Sequence, residues 1–280
     1  MYRRTKIGIF SAFFKKQFYI AFINIFRFFY SPFGIFLEYI FRLGSYPKEI
    51  FIRTPIGKQN VTLYCSDDMI TVVECFGKLD YPAKKDISCV VDFGSNIGIS
   101  ALYFLTRNTQ LKVYLFEPLS QNIEKLKRNL NGFENRYELD PVAVGLKNGT
   151  SSFGCEPTGR YGGLNKREMR NQVEVQVKNA NEVVQDILNK KGTIDILKID
   201  TQGSEAEVLI GAKQLLQNQC IKIIDLEYIV GPGFPGSSPI FKLLPDACLA
   251  KINALCLLSS FKALSIVNSL DDAKLVDSQK

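Results

Sequence analysis

The sequence predicts an α/β fold, a doubly wound and mostly parallel sheet, preceded by a helical N-terminal extension and a β-hairpin. Three observations lead there. From residue 87 onward, short apolar runs alternate with amphipathic helical stretches. The first of those runs opens into a glycine-bearing loop, Asp92-Phe93-Gly94-Ser95-Asn96-Ile97-Gly98. Finally, 46% of the 280 residues are hydrophobic, enough for a full core and an appendage. Four segments follow: residues 1–44, a basic aromatic extension; 45–86, a hairpin and helix; 87–230, the main α/β domain; and 231–280, a C-terminal stretch of weak pattern.

Residues 1–44 carry seven basic side chains against Glu38 alone, so they hold +6 of the chain's net charge of +7. Their longest charge-free runs are ten residues, against the roughly 20 apolar residues that cross a bilayer, and no secretory signal is recognisable. At 100° per residue, Ile7, Phe10, Phe14, Phe18, Ala21, Phe22, Ile25 and Phe29 share one helical face, with Lys6, Lys16, Gln17, Asn24 and Arg27 opposite. Ser31-Pro32 ends that helix, and a second runs over 33–42. Two readings of the aromatic face stand open. It sinks into an anionic membrane surface, or it packs on the main domain or a second subunit.

Strands over 50–54 and 61–65 flank Pro55-Ile56-Gly57-Lys58 and pair as a hairpin, followed by a helix over 67–76 started by Asp67-Asp68. In the main domain the expected order is strand 88–92, helix 97–107, strand 112–116, helix 121–130 and strand 137–144. An inserted hairpin of 151–155 and 173–177 comes next, then helix 180–189, strand 194–200, helix 205–216 and strand 221–228. Helix over 244–258 and strand over 262–267 complete the reading.

The loop after the first strand carries chemistry. Gly94 and Gly98 let backbone approach a ligand, and the following helix start offers unpaired N–H groups to a carboxylate. Asp92 at the strand end orients the loop or accepts from a ligand ammonium. The Gly-x-x-x-Gly spacing departs from the Gly-x-Gly-x-x-Gly of dinucleotide sites, which speaks against an NAD-dependent oxidoreductase, and the Gly-Lys-Ser/Thr of triphosphate loops is missing. Glu117 ends the second strand, 25 positions after Asp92, where a carboxylate accepts from both hydroxyls of a ribose.

The chain has no histidine, which excludes Ser-His-Asp and Cys-His catalysis and leaves proton transfer to Asp, Glu, Lys, Tyr or water. Seven scattered cysteines (65, 75, 89, 155, 220, 248 and 256) form neither a metal motif nor a disulfide framework. They read as reduced, mostly buried thiols of a cytoplasmic chain, with residues 1–44 as candidate peripheral attachment to the inner face of a membrane.

The run 90–98 (Val-Val-Asp-Phe-Gly-Ser-Asn-Ile-Gly), Phe116-Glu117-Pro118, Val142-Ala143-Val144-Gly145 and Ile196-Leu197-Lys198-Ile199-Asp200-Thr201-Gln202-Gly203-Ser204-Glu205 together resemble the FkbM-type methyltransferases dependent on S-adenosylmethionine (SAM). The resemblance covers about residues 48–228. It implies a Rossmann-like class I methyltransferase that methylates a hydroxyl of a saccharide, glycolipid or secondary metabolite. By it, Gly94, Ser95, Asn96 and Gly98 surround the methionine moiety, Glu117 the ribose, and Pro141-Val142-Ala143 the adenine edge, with Asp140 a further candidate there. The family's Asp-x-Glu-Gly-x-Glu reads Asp-Thr-Gln-Gly-Ser-Glu here, so Gln202 replaces an acid.

Strand 194–200 delivers Asp200 to the crevice beside the loop, and Asp200 is the preferred base or orienting group for the acceptor hydroxyl. Glu205 and Glu227 are supporting candidates, although Glu205 can equally complement a helix start and Glu227 pair with a cation. No metal-ligand set is predicted. Mg²⁺ is compatible with the acids but nothing in their spacing requires it. In the loop 158–163, Arg160 is placed to meet an anionic acceptor or the SAM carboxylate, and Tyr161 to stack on a sugar ring. The expected partner is a hydroxylated acceptor, not nucleic acid. A catalytically weak scaffold that binds a membrane or partner is the alternative.

Overall fold

A computed structural model describes residues 16–81, 83–166, 168–202, 205, 208, 221–228 and 252–256. Helix α1 (Lys16–Phe28) and helix α2 (Pro32–Phe41) form the extension. Pro32 starts α2 because its missing N–H falls where the helix has no partner to offer, and Arg42 stops it in a left-handed conformation. Strands β1 (Lys48–Thr54) and β2 (Gly57–Leu63) pair antiparallel with Thr54 opposite Gly57, so the turn is only Pro55-Ile56 and β2 starts four residues earlier than the sequence pattern indicates. Helix α3 (Ser66–Val72) follows and widens into a π turn over Val73–Lys78. At its start the Asp68 carboxylate accepts the N–H groups of Tyr64 (2.7 Å) and Cys65 (3.0 Å), a cap formed from inside the first turn.

The main domain continues with β3 (Cys89–Phe93), α4 (Ile99–Leu105), β4 (Lys112–Phe116), α5 (Ser120–Asn129), β5 (Tyr137–Asp140), β6 (Ala143–Gly145), β7 (Gly149–Cys155), β8 (Gly162–Leu164), β9 (Asn171–Asn179), α6 (Ala180–Lys191), β10 (Ile194–Ile199), β11 (Ile221–Tyr228) and β12 (Ile252–Cys256). Six strands form one sheet in the order β12-β11-β10-β3-β4-β5, and every neighbouring pair is parallel. The winding reverses between β3 and β10, which opens a crevice at the strands' carboxyl ends. Alternating side chains of the central strands feed two cores. Val90, Val113, Leu115 and Ile196 pack with α4, the hairpin, α3 and the N-terminal helices. Val91, Phe93, Tyr114, Phe116 and Leu197 pack with α6.

Three expectations are corrected. The single strand over 137–144 is two: β5 joins the main sheet, whereas β6 crosses at Pro141-Val142 into a second sheet of order β6-β9-β7-β8. Proline at 141 cannot donate to a ladder, which is where the chain changes sheets. The inserted hairpin is therefore part of a four-stranded sheet. The helix over 244–258 is overturned at Ile252–Cys256, which pairs parallel with β11; a short apolar run carries no periodicity that separates helix from buried strand. Of helix 205–216, Glu205 and Val208 are helical and the remainder lies outside the described residues, as does strand 262–267.

The aromatic stripe of α1 is also turned from its expected position. Ala21, Ile25 and Phe29 are buried, but so is Asn24, whose amide donates to the Gly77 carbonyl (2.7 Å) at the π turn, while Phe22 lies at the exposed edge. This face sits in the same core as the hairpin and α4. The packed reading accordingly holds for this face. Cys75, Cys89 and Cys155 are buried free thiols, and Cys65 is half-buried.

Candidate functional site

The loop between β3 and α4 is folded against its neighbours. Gly94 has φ +82°, and a Cβ there would lie 1.9 Å from the Asp200 carbonyl oxygen, so only glycine lets β10's end approach β3 this closely. Asn96, at φ +48°, takes a left-handed conformation that asparagine tolerates. The backbone N–H groups of Gly94 (3.0 Å) and Ser95 (3.1 Å) both donate to the Phe116 carbonyl, and that of Gly98 (2.9 Å) to the Ser95 carbonyl. Those of Asn96 and Ile97 donate to Glu117 Oε2 (2.9 Å) and to Asn96 Oδ1 (2.8 Å). Each loop N–H from 94 to 98 thus has a protein partner, and the helix start, where unpaired donors were expected, falls at Ile99 with no side-chain cap. The Ser95 hydroxyl donates to the Asp92 carbonyl (2.8 Å) and accepts the Phe116 N–H (3.1 Å), so Ser95 fastens the loop to β4.

Beneath the loop lies an ion pair that sequence reasoning missed. Asp92 is fully buried. Its Oδ1 accepts from Lys198 Nζ (2.8 Å) and its Oδ2 from the Ser100 hydroxyl (2.7 Å). Lys198, 2% exposed, also donates to the Gly94 carbonyl (3.1 Å) and stands 3.7 Å from Asp200 Oδ2. A buried pair of this kind persists because each charge is met and hydrogen-bonded. The signal was present: Lys198 is the lysine in an otherwise apolar run, Ile196-Leu197-Lys198-Ile199.

Glu117 stands at the end of β4 in the crevice, 4% exposed. Its Oε2 accepts the Asn96 N–H, and its Oε1 accepts the Leu119 N–H (3.1 Å) and the Asn122 amide (3.1 Å). Burial raises its pKa to about 7, a rise opposed by those hydrogen bonds and by Lys198. The Asn122 amide also donates to the Gly159 carbonyl (2.8 Å), and the Asn96 amide to the Arg160 carbonyl (3.0 Å), so the segment 158–160 crosses the crevice over Glu117. The buried Asn122 Oδ1 has no hydrogen-bond partner. Arg160 reaches the other way, to Asp68 Oδ1 (3.4 Å) and the Thr71 hydroxyl (2.7 Å) on α3. The position of Asn122 in the first turn of the helix after Glu117 was the cue for its role.

The crevice therefore brings together Asp92, Gly94, Ser95, Asn96, Gly98, Glu117 and Asp200. Asp200 keeps 20% of its side chain exposed, and its Oδ1 accepts the Gln202 amide (2.7 Å). Glu205 is buried and accepts the Thr201 N–H (3.0 Å) and hydroxyl (3.3 Å), which braces the turn after β10. Glu227 lies on β11, two strands from β3, and its side chain lies outside the described residues. Val142 and Ala143 are buried where the chain passes between sheets, and Asp140 pairs with Lys178 (2.5 Å) on β9. Tyr161 is exposed.

Fold and crevice define a parallel α/β protein with an open crevice at the switch point of its sheet. The model of the methyltransferase FkbM domain matches residues 92–246, over half of the sequence, and the chain belongs to that family. It is similar to the hexuronic acid methyltransferase AglP of Haloferax volcanii, 26% identical over 160 residues, which cover 57% of this chain and 62% of that protein. Methyltransferase 1 of Beauveria bassiana is 22% identical over 56% of this chain and 71% of its own length. Among solved structures, the methyltransferase FkbM of Methylobacillus flagellatus KT has a TM-score of 0.34 at 14% identity, covering 73% of this chain and 49% of that chain. The chain thus spans less than two thirds of AglP.

Proposed function

We propose that this chain is a Rossmann-like, SAM-dependent O-methyltransferase acting on a hydroxyl of a saccharide, glycolipid or secondary metabolite. The observation that carries the cofactor is Glu117, a carboxylate preset at the end of β4 by two backbone N–H groups and Asn122. Its chemistry suits the two hydroxyls of a ribose, and the orphaned Asn122 oxygen beside it has room in its hydrogen bonding for a further donor. Gly94 and Gly98 let the end of β10 and helix α5 close on the loop, where a Cβ would meet the Asp200 carbonyl and Leu126. SAM supplies a methyl group on a sulfonium. The similarity to a hexuronic acid methyltransferase supports a sugar acceptor.

Methyl transfer to an alcohol depends on alignment, because the hydroxyl proton leaves late. Asp200 is held at the crevice with an exposed edge, and it orients the acceptor hydroxyl and receives its proton. Lys198 and Gln202 fix the carboxylate in place. Glu205 acts indirectly, by holding the turn that presents Asp200. Among the described residues no cluster of metal-ligating side chains is found.

Gln202, which engages Asp200 where the family pattern carries an acid, favours the second reading, a catalytically weak scaffold. Incubation with labelled SAM and cell-envelope saccharides separates the two. Label transfer that Asp200→Asn abolishes supports the enzyme. Cofactor binding with no transfer by the wild-type chain supports the scaffold.

Peripheral attachment to an anionic membrane belongs to the same proposal, on a different face from the one first expected. Ile23, Phe33, Leu37, Phe41 and Leu43 are exposed along α1 and α2, and Arg53 and Lys58 lie over the neighbouring rings of Tyr30 (4.2 Å) and Phe51 (4.0 Å). No helix among the described residues is long and apolar enough to span a bilayer. Flotation with anionic liposomes that survives Phe33→Ser with Phe41→Ser contradicts the attachment.

A further inference from the structure

The strap 158–160 does more than cover Glu117: it closes one side of a cavity of about 110 Å³ lined by Tyr64, Cys65, Asp68, Asn96, Lys125 and Arg160, with Ile97 and Thr158 completing it. That volume admits several water-sized groups, hence a carboxylate and its nearest atoms, and is too small for a nucleoside. Its polar groups are mostly donors. Lys125 Nζ donates to the Thr158 carbonyl (3.0 Å) and lies 5.0 Å from the Tyr64 ring centroid. The buried Arg160 Nε has no hydrogen-bond partner. The buried Tyr64 hydroxyl has no acceptor for its proton, since Arg128, the cation beside it, can only donate.

The single acid on the wall, Asp68, is already committed to the N–H groups of Tyr64 and Cys65 and to Arg160. Two cations and two unmatched donors around one satisfied carboxylate describe a receptor for an anionic oxygen group. The neighbouring loop from 94 to 98 has spent its own N–H groups internally, so those five donors are not open to an anion entering the crevice. We infer that this cavity is a carboxylate subsite built from Arg160, Lys125 and Tyr64. The carboxylate comes from one of two sources, the methionine end of the cofactor, which rests on the proposed function, or a carboxylate on the acceptor.

Calorimetric titration of the whole chain with S-adenosylhomocysteine, 5′-methylthioadenosine and glucuronate tests this. Lys125→Gln and Tyr64→Phe are the variants, because Arg160 also ties the strap to α3. If the cofactor is the source, the wild type prefers S-adenosylhomocysteine to 5′-methylthioadenosine by about tenfold or more, and both variants erase that preference. If the acceptor is the source, the preference is unchanged and glucuronate weakens by about tenfold in the variants. Glucuronate binding that depends on Lys125, with neither nucleoside bound by the wild type, keeps the subsite and defeats the cofactor reading. Variants that change neither the nucleoside preference nor glucuronate binding overturn the subsite.

Discussion

Glu117 has a titration that follows from its place. Its pKa rises from 4.5 to about 7 on folding because burial penalises the anion more than its hydrogen bonds reward it. Between those values the folded chain holds a proton that the unfolded chain has released, so the group's contribution to stability is full below pH 4.5 and is lost as the pH rises through 7. Ligand hydroxyls donate better to the anion, so cofactor affinity runs the opposite way and strengthens through pH 7. Glu117→Gln is expected to flatten both profiles, read by thermal melts and by titration with S-adenosylhomocysteine. Lys198 makes a second prediction. Lys198→Met strands Asp92 as a buried charge with only Ser100 beside it, at a cost of about 3–5 kcal/mol in urea denaturation. Asp92→Asn in the same chain recovers part of the loss, and a single-variant cost under about 1 kcal/mol would show that the pair does not hold the loop.

At the scale of elements, α1 divides into faces with different work. Ile25 is fully buried in the core shared with the hairpin and α4, while Ile23 is 62% exposed. Ile25→Ala is expected to cost about 2–4 kcal/mol in the stability of the whole domain. Ile23→Ser should leave stability within about 0.5 kcal/mol and weaken liposome flotation. Equal stability losses at the two positions would contradict the division. The register of this helix was only partly legible from sequence. Periodicity located the stripe near Ile25 and Phe29, but Asn24 is drawn inward by the Gly77 carbonyl, a group 53 positions along the chain. The same limit explains β6 and β12. Each is a short apolar run whose sheet is chosen by a distant partner, Val177 for Ala143 and Ile224 for Ile252. By contrast, β4 was bounded correctly because Lys112 and Pro118 mark its ends in the sequence.

On the scale of the whole molecule, the sheet order places three strand ends, those of β3, β4 and β10, around one crevice. The residues that meet there, Asp92, Gly94, Glu117 and Asp200, are the ones that strand ends and loop glycines make legible. Lys198 and Asn122 were not read as parts of it, and Arg160 was read only as a contact for an anion; the bonds that place Lys198 and the strap cross 106 and 64 positions. The N-terminal helices, hairpin and α4 share one continuous core, so removing α1 and α2 uncovers the inner face of the domain. What the crevice holds decides what the molecule does. Titration of the chain with S-adenosylhomocysteine and with NAD⁺, repeated on Glu117→Ala, is the most direct measurement: binding of the first alone, weakened at least about tenfold in the variant, is the predicted result, and NAD⁺ binding without S-adenosylhomocysteine heat would contradict it.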